Sequence, residues 1–527
     1  MIKIREIKID VKNDNLYNLK SKILKRLKVS SCHLKDFYIR KKSIDARRDV
    51  YFIYEVDVSL DNEDAVLKKN KDKNILKTEF YKYSFNDFGD NKLSLRPVVV
   101  GSGPSGLFCA YILSYYGYKP IVIERGMDVD KRVLEVKKFW ESGVLNEECN
   151  VSFGEGGAGT FSDGKLNTLI KDEKNRILKV FEVFVKHGAP KSIMYDNKPH
   201  IGTDILRNVV KNMRLEIIKN GGSFYFEKKL TDIDIKDEKV VGITVNDSEY
   251  IPCSILVLGT GHSARDIYEL LERKNVNMKS KPFAVGVRVE HAQKLIDENQ
   301  YGSYAEYLDR ASYKLTYKAQ NNRGVYSFCM CPGGYVVNAS SEKNKTVING
   351  MSNYKRDSGN SNSAIIVTVN EKDYGSHILD GIKYQEEIEK KTFDALNGKI
   401  PVQLWKDFIE NKVSTKFDNL TPKIKGKYAF YDINKILPKY ISDSIKEAMI
   451  YFNTKIKGFT NDCIISCSET RTSSAVTILR DDDFESNIKG LYPIGEGAGH
   501  SGGITTSSVD GIKAAEKIMK KYEKPVE

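Results

Sequence analysis

The sequence is poor in cysteine, proline and tryptophan, and it has no long apolar run. Eight cysteines in 527 residues cannot build a disulfide scaffold. No two of them form a Cys-x2-Cys pair, so no metal site is expected. The closest pairs are Cys329/Cys331 and Cys463/Cys467. The longest apolar stretch, residues 98–123, is broken by four Gly and two Pro. It falls short of the ~20 unbroken apolar residues that cross a membrane. The opening MIKIREIKID alternates and carries charge early, unlike a secretory leader. Together these absences predict a protein of the reducing cytoplasm.

What is present is a globular balance, 40% hydrophobic and 29% charged, with apolar material for several cores. The length predicts about three or four domains. The net charge is +13, and residues 1–94 hold 22 Lys+Arg against 15 Asp+Glu. More than half of the excess therefore sits in the first fifth of the chain. A basic segment attracts nucleic acid, anionic membranes or acidic partners, but in a Lys-rich chain it is also ordinary solvated surface.

Residues 1–94 read as one small domain. Ile2, Ile4, Ile7 and Ile9 predict a strand. Asp14 is the expected cap of a helix over 15–28, with Leu16, Leu19, Ile23 and Leu27 on one face. Strands are expected over 34–42 and 50–60, a short helix over 61–70 and a last strand over 75–84. That βαββαβ order is the ferredoxin-like pattern, which by itself carries no activity. The aromatics in Arg48-Asp49-Val50-Tyr51-Phe52-Ile53-Tyr54 raise the question of RNA binding. The glycines of that motif are missing, so packing is the expected role. Residues 85–95 read as a linker.

The character then changes. Arg96-Pro97-Val98-Val99-Val100 predicts a buried strand running into Gly101-Ser102-Gly103-Pro104-Ser105-Gly106. A helix follows, and then a second strand that ends at Glu124. A lone Gly-x-Gly-x-x-Gly is weak, but strand, helix, strand and terminal acid make this one a dinucleotide fingerprint. Gly101 permits the tight turn, Gly103 the approach of a pyrophosphate, and Gly106 the close packing of the helix. The pyrophosphate is expected at the helix N-terminus, beside Pro104 and Ser105. Glu124 is expected to accept from ribose hydroxyls.

Three later segments favour a flavin. Residues 254–261 form a strand ending in Thr260-Gly261, similar to the second segment of two-dinucleotide-fold flavoproteins. Residues 490–497 resemble their flavin-binding Gly-Asp motif, with Gly495 kept and Glu496 in place of the Asp. A final helix begins at Gly502-Gly503-Ile504, where its dipole would favour negative charge on a reduced flavin. The glycine-dense loop at 153–166, with Gly157, Ala158, Gly159, Thr160 and Lys165, is expected to wrap the isoalloxazine edge.

These residues carry a wider resemblance. The stretches GSGPSGL, ERG (124–126, with Arg125), FGEGGAGTFSDGKLNT, HIGTD, TGHSARD, VGVRVEH, FCMCPGGYVVNASSE, SETRTSSAV and GEGAGHSGGITTSSVDGIKAAE cover most of the chain from residue 97. The chain resembles the uncharacterised FAD-dependent dehydrogenases of bacteria, within the glutathione-reductase-like flavoproteins. Two departures stand out. Ala475 replaces an expected Pro, and His500-Ser501 replace a commoner aromatic and Ala. The resemblance implies FAD, a redox activity and an N-terminal ferredoxin-like domain. The expected fold is α/β. A Rossmann-like FAD-binding domain (95–275 and 460–527) carries an inserted mixed α+β substrate domain (276–459) and follows the ferredoxin-like domain (1–94).

The expected function is an FAD-dependent oxidoreductase passing a hydride through flavin N5 to or from a small molecule. NAD(P)H is a possible transient co-substrate, since no second dinucleotide fingerprint exists. Two alternatives stand beside it: a flavin-dependent tRNA-modifying enzyme, and a flavin-binding redox sensor without turnover. The candidate catalytic residues are His500, Arg288, His291 and Arg471. Arg suits a carboxylate and His a proton transfer. Thr203 or Asp204 is the expected cap of a helix after His200. Cys329-Met330-Cys331 invites a redox reading, but dithiol relays usually space their cysteines by two, and the resemblance favours a tight turn near the flavin.

Overall fold

The alternating isoleucines form strand β1 (Ile2–Asp10), and all four are buried. The computed structural model describes residues 1–47, 49–79 and 82–525. Helix α1 (Leu16–Leu27) lays Leu19, Ile23 and Leu27 on that sheet at helical spacing. Its cap is Asn15, whose side chain accepts from the Asn18 amide at 2.9 Å. Asp14, the expected cap, instead accepts from the Tyr54 hydroxyl at 2.6 Å and from Lys42 at 2.7 Å. The chain continues through β2 (Leu34–Asp45), β3 (Tyr51–Leu60), α2 (Glu63–Lys69) and β4 (Ile75–Lys77). The sheet order is β2-β3-β1-β4, antiparallel throughout.

β4 is shorter than the strand expected over 75–84. It pairs with Ile2, Lys3 and Ile4, and beyond Lys77 the first strand has run out of partners. Phe80 and Tyr81 of that expected strand lie outside the described residues, as does Arg48 of the aromatic strand. Tyr54 is buried, and Phe52 packs on the same core beneath the Lys42 ammonium, 4.0 Å from its ring centre. These aromatics are packing residues.

The second unit is mixed α/β and Rossmann-like. β5 (Val98–Val100) leads into α3 (Pro104–Tyr115), then β6 (Ile121–Ile123) and α4 (Val129–Ser142). Five parallel strands are ordered Leu491–Pro493, Leu256–Leu258, β5, β6, Ser223–Tyr225. α3 is buried on nearly all sides, between the helices Thr203–Lys219 and Ile504–Lys521. That is why its sequence reads as a continuous apolar run. Three segments far apart in sequence thus supply neighbouring strands. Their C-terminal ends open on one side, where such folds bind ligands.

The third unit is a seven-stranded sheet ordered Thr316–Lys318, Gly324–Cys331, Asn360–Val369, Phe283–Ala292, Ile464–Glu469, Ile400–Leu404, Tyr428–Phe430. Its strand Phe283–Ala292 is buried along its length except at Ala292, and helix Lys439–Lys455 covers one face. Among the described residues no helix is long and apolar enough to cross a membrane.

Candidate active site

The glycine turn after β5 is shaped by close backbone approach. A methyl group on Gly106 would collide with the Gly101 carbonyl, and one on Gly101 with the Gly259 carbonyl. Gly101 also sits at φ +96°, where glycine alone is unstrained. Gly103 caps α3 without a side chain, so no side-chain acceptor takes the first free amides of the helix. Gly106→Ala is expected to cost about 1–3 kcal/mol of stability by overpacking. Chemical denaturation reads it directly, and unchanged stability would refute this packing role.

Glu124 closes the end of β6. One carboxylate oxygen accepts from the Ser102 amide (2.9 Å) and hydroxyl (2.7 Å), and the other from the amides of Gly126 and Gly154 (3.0 Å each). The expected ribose acceptor is therefore also a strut that ties the turn, the strand end and the glycine-rich loop together. Arg125 beside it lies 4.4 Å over the Phe153 ring and pairs with Asp266 and Glu148.

The loop itself hangs on a residue the sequence did not single out. Arg132, on α4, is fully buried. Its guanidinium donates to the carbonyls of Asn150, Val151, Gly154, Glu155 and Gly157 and to the Thr160 hydroxyl, at 2.7–3.1 Å. Burial lowers its pKa to about 10, still a cation at neutral pH. The loop then wedges between two helix starts. A methyl on Gly157 would sit 2.9 Å from the Gly103 Cα, and one on Gly159 would touch both Ile504 and Pro104.

These pieces line a cavity of about 1550 Å³ of empty space, its open mouth included. Gly101, Gly103, Pro104, Ser105, Glu124, Arg125, Gly157, Ala158, Gly159, Lys165, Thr260, Gly261, Glu496, Gly503 and Ile504 are on its wall. Gly106, Thr160, Gly495 and Gly502 are not. Gly106 is buried within α3 against the Gly101 carbonyl, Thr160 binds Arg132, and Gly495 backs onto Ser105. Gly502 has open space where a Cβ would stand. The opposite wall brings Phe328, Cys329, Asn349, Glu469, Arg471 and Thr472.

Of the four catalytic candidates, Arg471 alone lines the cavity. Glu389 (2.8 and 3.0 Å), Glu342 (3.0 Å) and Ser341 hold its guanidinium. Arg288 stands one layer behind the wall, fully buried, donating to both oxygens of Glu469 (2.7 and 2.9 Å). Burial alone would lower its pKa, but the Glu469 carboxylate more than offsets this and raises it. His291 points away from the cavity. Its Nε2 meets the Phe459 carbonyl at 2.6 Å, and burial lowers its pKa to about 4. His500 is near the last helix in sequence, but its Nε2 turns to the Ile478 carbonyl at 2.8 Å. The histidine that does line the cavity is His262, 3.5 Å from Glu496. It lies within the TGHSARD stretch, where the motif was legible but the role of its His was not.

Burial pushes the Lys165 pKa down, but Asp163, 3.4 Å away, together with Cys331 and Cys329 raises it, so the lysine keeps its charge. The helix after His200 is capped by Gly202 rather than by Thr203 or Asp204. Thr203 donates to Asn353, and Asp204 accepts from the Tyr354 amide at 2.8 Å. Both side chains are spent on a neighbouring segment.

Residues 282–472 match the family model of the C-terminal domain-like region of FAD-dependent proteins, and residues 1–59 match a domain of unknown function. An uncharacterized protein of Clostridium beijerinckii is 47% identical over 99% of both chains. The chain belongs to one family with this Clostridium protein, and it carries the C-terminal domain-like region of FAD-dependent proteins. A thiamine thiazole synthase of Thermotoga maritima is 23% identical over 40% of this chain and 73% of its own. Among solved structures, the FAD-complexed glycerol-3-phosphate dehydrogenase of Bacillus halodurans aligns with a TM-score of 0.34 and 12% identity. That alignment covers 82% of this chain and 64%, under two thirds, of the other.

The residues of this FAD-dependent protein suit its cofactor. Two uncapped helix starts, at Gly103 and Gly503, face one cavity. Backbone approach there is too close for any Cβ at Gly101 or Gly106. Both features suit an anionic dinucleotide.

Proposed function

We propose that this chain is an FAD-dependent dehydrogenase of a small molecule, using NAD(P)H as a transient partner. One observation carries the reading. The glycine turn and two helix starts form one wall of a cavity, and polar residues of the seven-stranded sheet region form the other. FAD held there supplies hydride chemistry at its N5 atom.

The protein supplies position and charge. The α3 N-terminus, with Gly103, Pro104 and Ser105, would hold the pyrophosphate. Glu124 and Arg125 would face the adenosine end, and the loop from Gly157 to Lys165, with Gly503 and Ile504, the ring end. Arg471, fixed by Glu389 and Glu342, offers a rigid donor to a substrate oxygen. His262, paired with Glu496, is the candidate proton carrier.

We further read residues 1–94 as a ferredoxin-like domain, supported by the antiparallel order β2-β3-β1-β4. The inserted substrate domain starts near 276 and runs past Glu469 rather than ending at 459, because Ile464–Glu469 is a strand of the seven-stranded sheet, and the FAD-binding parts flank it. All eight cysteines are free thiols, which fits a reducing cytoplasm.

Anaerobic titration with NADPH, then NADH, tests the reading. Bleaching of the oxidised flavin absorbance is expected. A flavin spectrum that neither nucleotide bleaches would remove NAD(P)H from the mechanism. Absence of any flavin spectrum, even after loading with FAD, would overturn the whole assignment.

A further inference from the structure

We propose that Cys329 and Cys331 form a redox-active dithiol on the cavity wall, which closes to a disulfide when two electrons are withdrawn. The substrate class this implies is a small thiol or disulfide. The assignment goes beyond the proposed function and depends on it only for the flavin as electron partner.

Position comes first. Cys329 lines the cavity opposite the glycine turn, and Cys331 is buried directly behind it. The Cys331 thiol donates to the Cys329 carbonyl at 3.2 Å, which folds it back onto its neighbour. Regular strand geometry would not bring them so close. Residues i and i+2 of a strand share a face, but two rises of ~3.3 Å place them near the ~6.8 Å outer limit of Cα separation in disulfides. Here the strand Gly324–Cys331 breaks register against its neighbour between Phe328 and Cys331. Cys329 takes φ +42°, a left-handed conformation that a non-glycine residue adopts at a cost. The bulge is what brings the thiols together.

Room and charge come next. A Cβ at Gly350 would lie 2.8 Å from the Cys331 sulfur, so glycine leaves the pair its space. Arg288 donates to the Cys329 carbonyl at 3.2 Å and stands 4.0 Å from the Cys331 sulfur. Lys165 faces both cysteines from the loop, and Asp163 beside it opposes part of that field. The neighbouring Cys331 lowers the Cys329 thiol most. Burial opposes it, Lys165 and Arg288 assist, and Cys329 is shifted down while its partner Cys331 is pushed up. The remaining buried cysteines behave differently. Burial pushes the thiols of Cys109, Cys149, Cys253, Cys463 and Cys467 up, as for small apolar side chains.

The chemistry balances with a disulfide as co-reactant. The Cys329 thiolate attacks one sulfur of the co-reactant and expels the other as a thiolate. Cys331 then loses its proton and attacks the Cys329 sulfur, expelling the second thiolate. Two protein thiols are oxidised and one disulfide is reduced to two thiols. Oxidised flavin is an alternative acceptor of the same two electrons and of one thiol proton, the other proton leaving to solvent.

The test uses the FAD-loaded full chain in a Cys32→Ser background, which removes the exposed cysteine. The protein is treated anaerobically with dithiobis(nitrobenzoate), alkylated, digested and weighed. Two coloured thiolates per chain are expected in one fast phase, about tenfold faster than a free cysteine peptide at neutral pH. The peptide holding both cysteines should be lighter by two hydrogens and resist alkylation. C331S should stop at one thiolate with the aromatic group left on Cys329, and C329S should lose the fast phase. A peptide that alkylates at both cysteines, or a fast phase that survives C329S, would overturn the proposal. The flavin spectrum of the same sample separates the two readings. A protein without flavin that still closes the disulfide refutes the FAD site, and a flavin-loaded protein with independent thiols refutes the dithiol.

Discussion

Replacing Arg132 with Met is expected to leave a folded protein that no longer retains FAD. The substitution strips the buried carbonyls of Asn150, Val151, Gly154, Glu155 and Gly157 of a shared donor. Each unsatisfied buried polar group costs about 1–3 kcal/mol, although relaxation and water entry recover part of it. Even ~3 kcal/mol of the remainder, felt at the loop, weakens FAD binding by roughly 100-fold. The flavin-to-protein absorbance ratio after desalting reads the loss, and an FAD titration gives its size. Arg132→Lys keeps the charge but lacks the guanidinium fork, so intermediate retention is expected. Full occupancy in Arg132→Met would show that the loop holds its shape without this clamp.

The second large effect concerns stability. Arg288→Met leaves the Glu469 carboxylate buried without its partner, and removing one member of a buried pair costs about 3–5 kcal/mol. The double variant Arg288→Met/Glu469→Gln leaves no buried charge, so it should be more stable than Arg288→Met alone. Denaturant unfolding of the single and double variants measures the difference. A double variant that is simply additive would mean the pair contributes no coupling. The outcome bears on the site because Glu469 lines the cavity while Arg288 supports it from behind.

How much of this was legible in the sequence follows from the distance over which each feature is encoded. The glycine turn was legible because strand, turn, helix and terminal acid are consecutive and each has a local backbone reason. The mixed α/β, Rossmann-like fold followed from it. Arg132 was not legible. In the stretch Val129-Asp130-Lys131-Arg132-Val133 it reads as one more surface cation, and only the folding-back of residues 150–160 buries it. The cap of α1 moved from Asp14 to Asn15 because Tyr54 and Lys42, on other strands, claim the Asp. The shortened β4 has the same origin, since its length is set by where β1 begins. His500 is adjacent to the flavin-motif helix in sequence, but adjacency does not fix the direction of an imidazole. His262 is the reverse case, close to Glu496 only through the pairing of distant strands.

The parallel sheet takes neighbours from near both ends of the chain, and the cavity wall runs from Gly101 to Ile504. At about 5–20 residues per second of synthesis, roughly 20–80 s separate the emergence of these two edges from a ribosome. During that interval β5 and α3 exist without the strand and helix that cover them. The nascent chain must wait with an apolar helix exposed, a state that invites chaperone capture. The cavity wall is therefore complete only after the last helix has emerged.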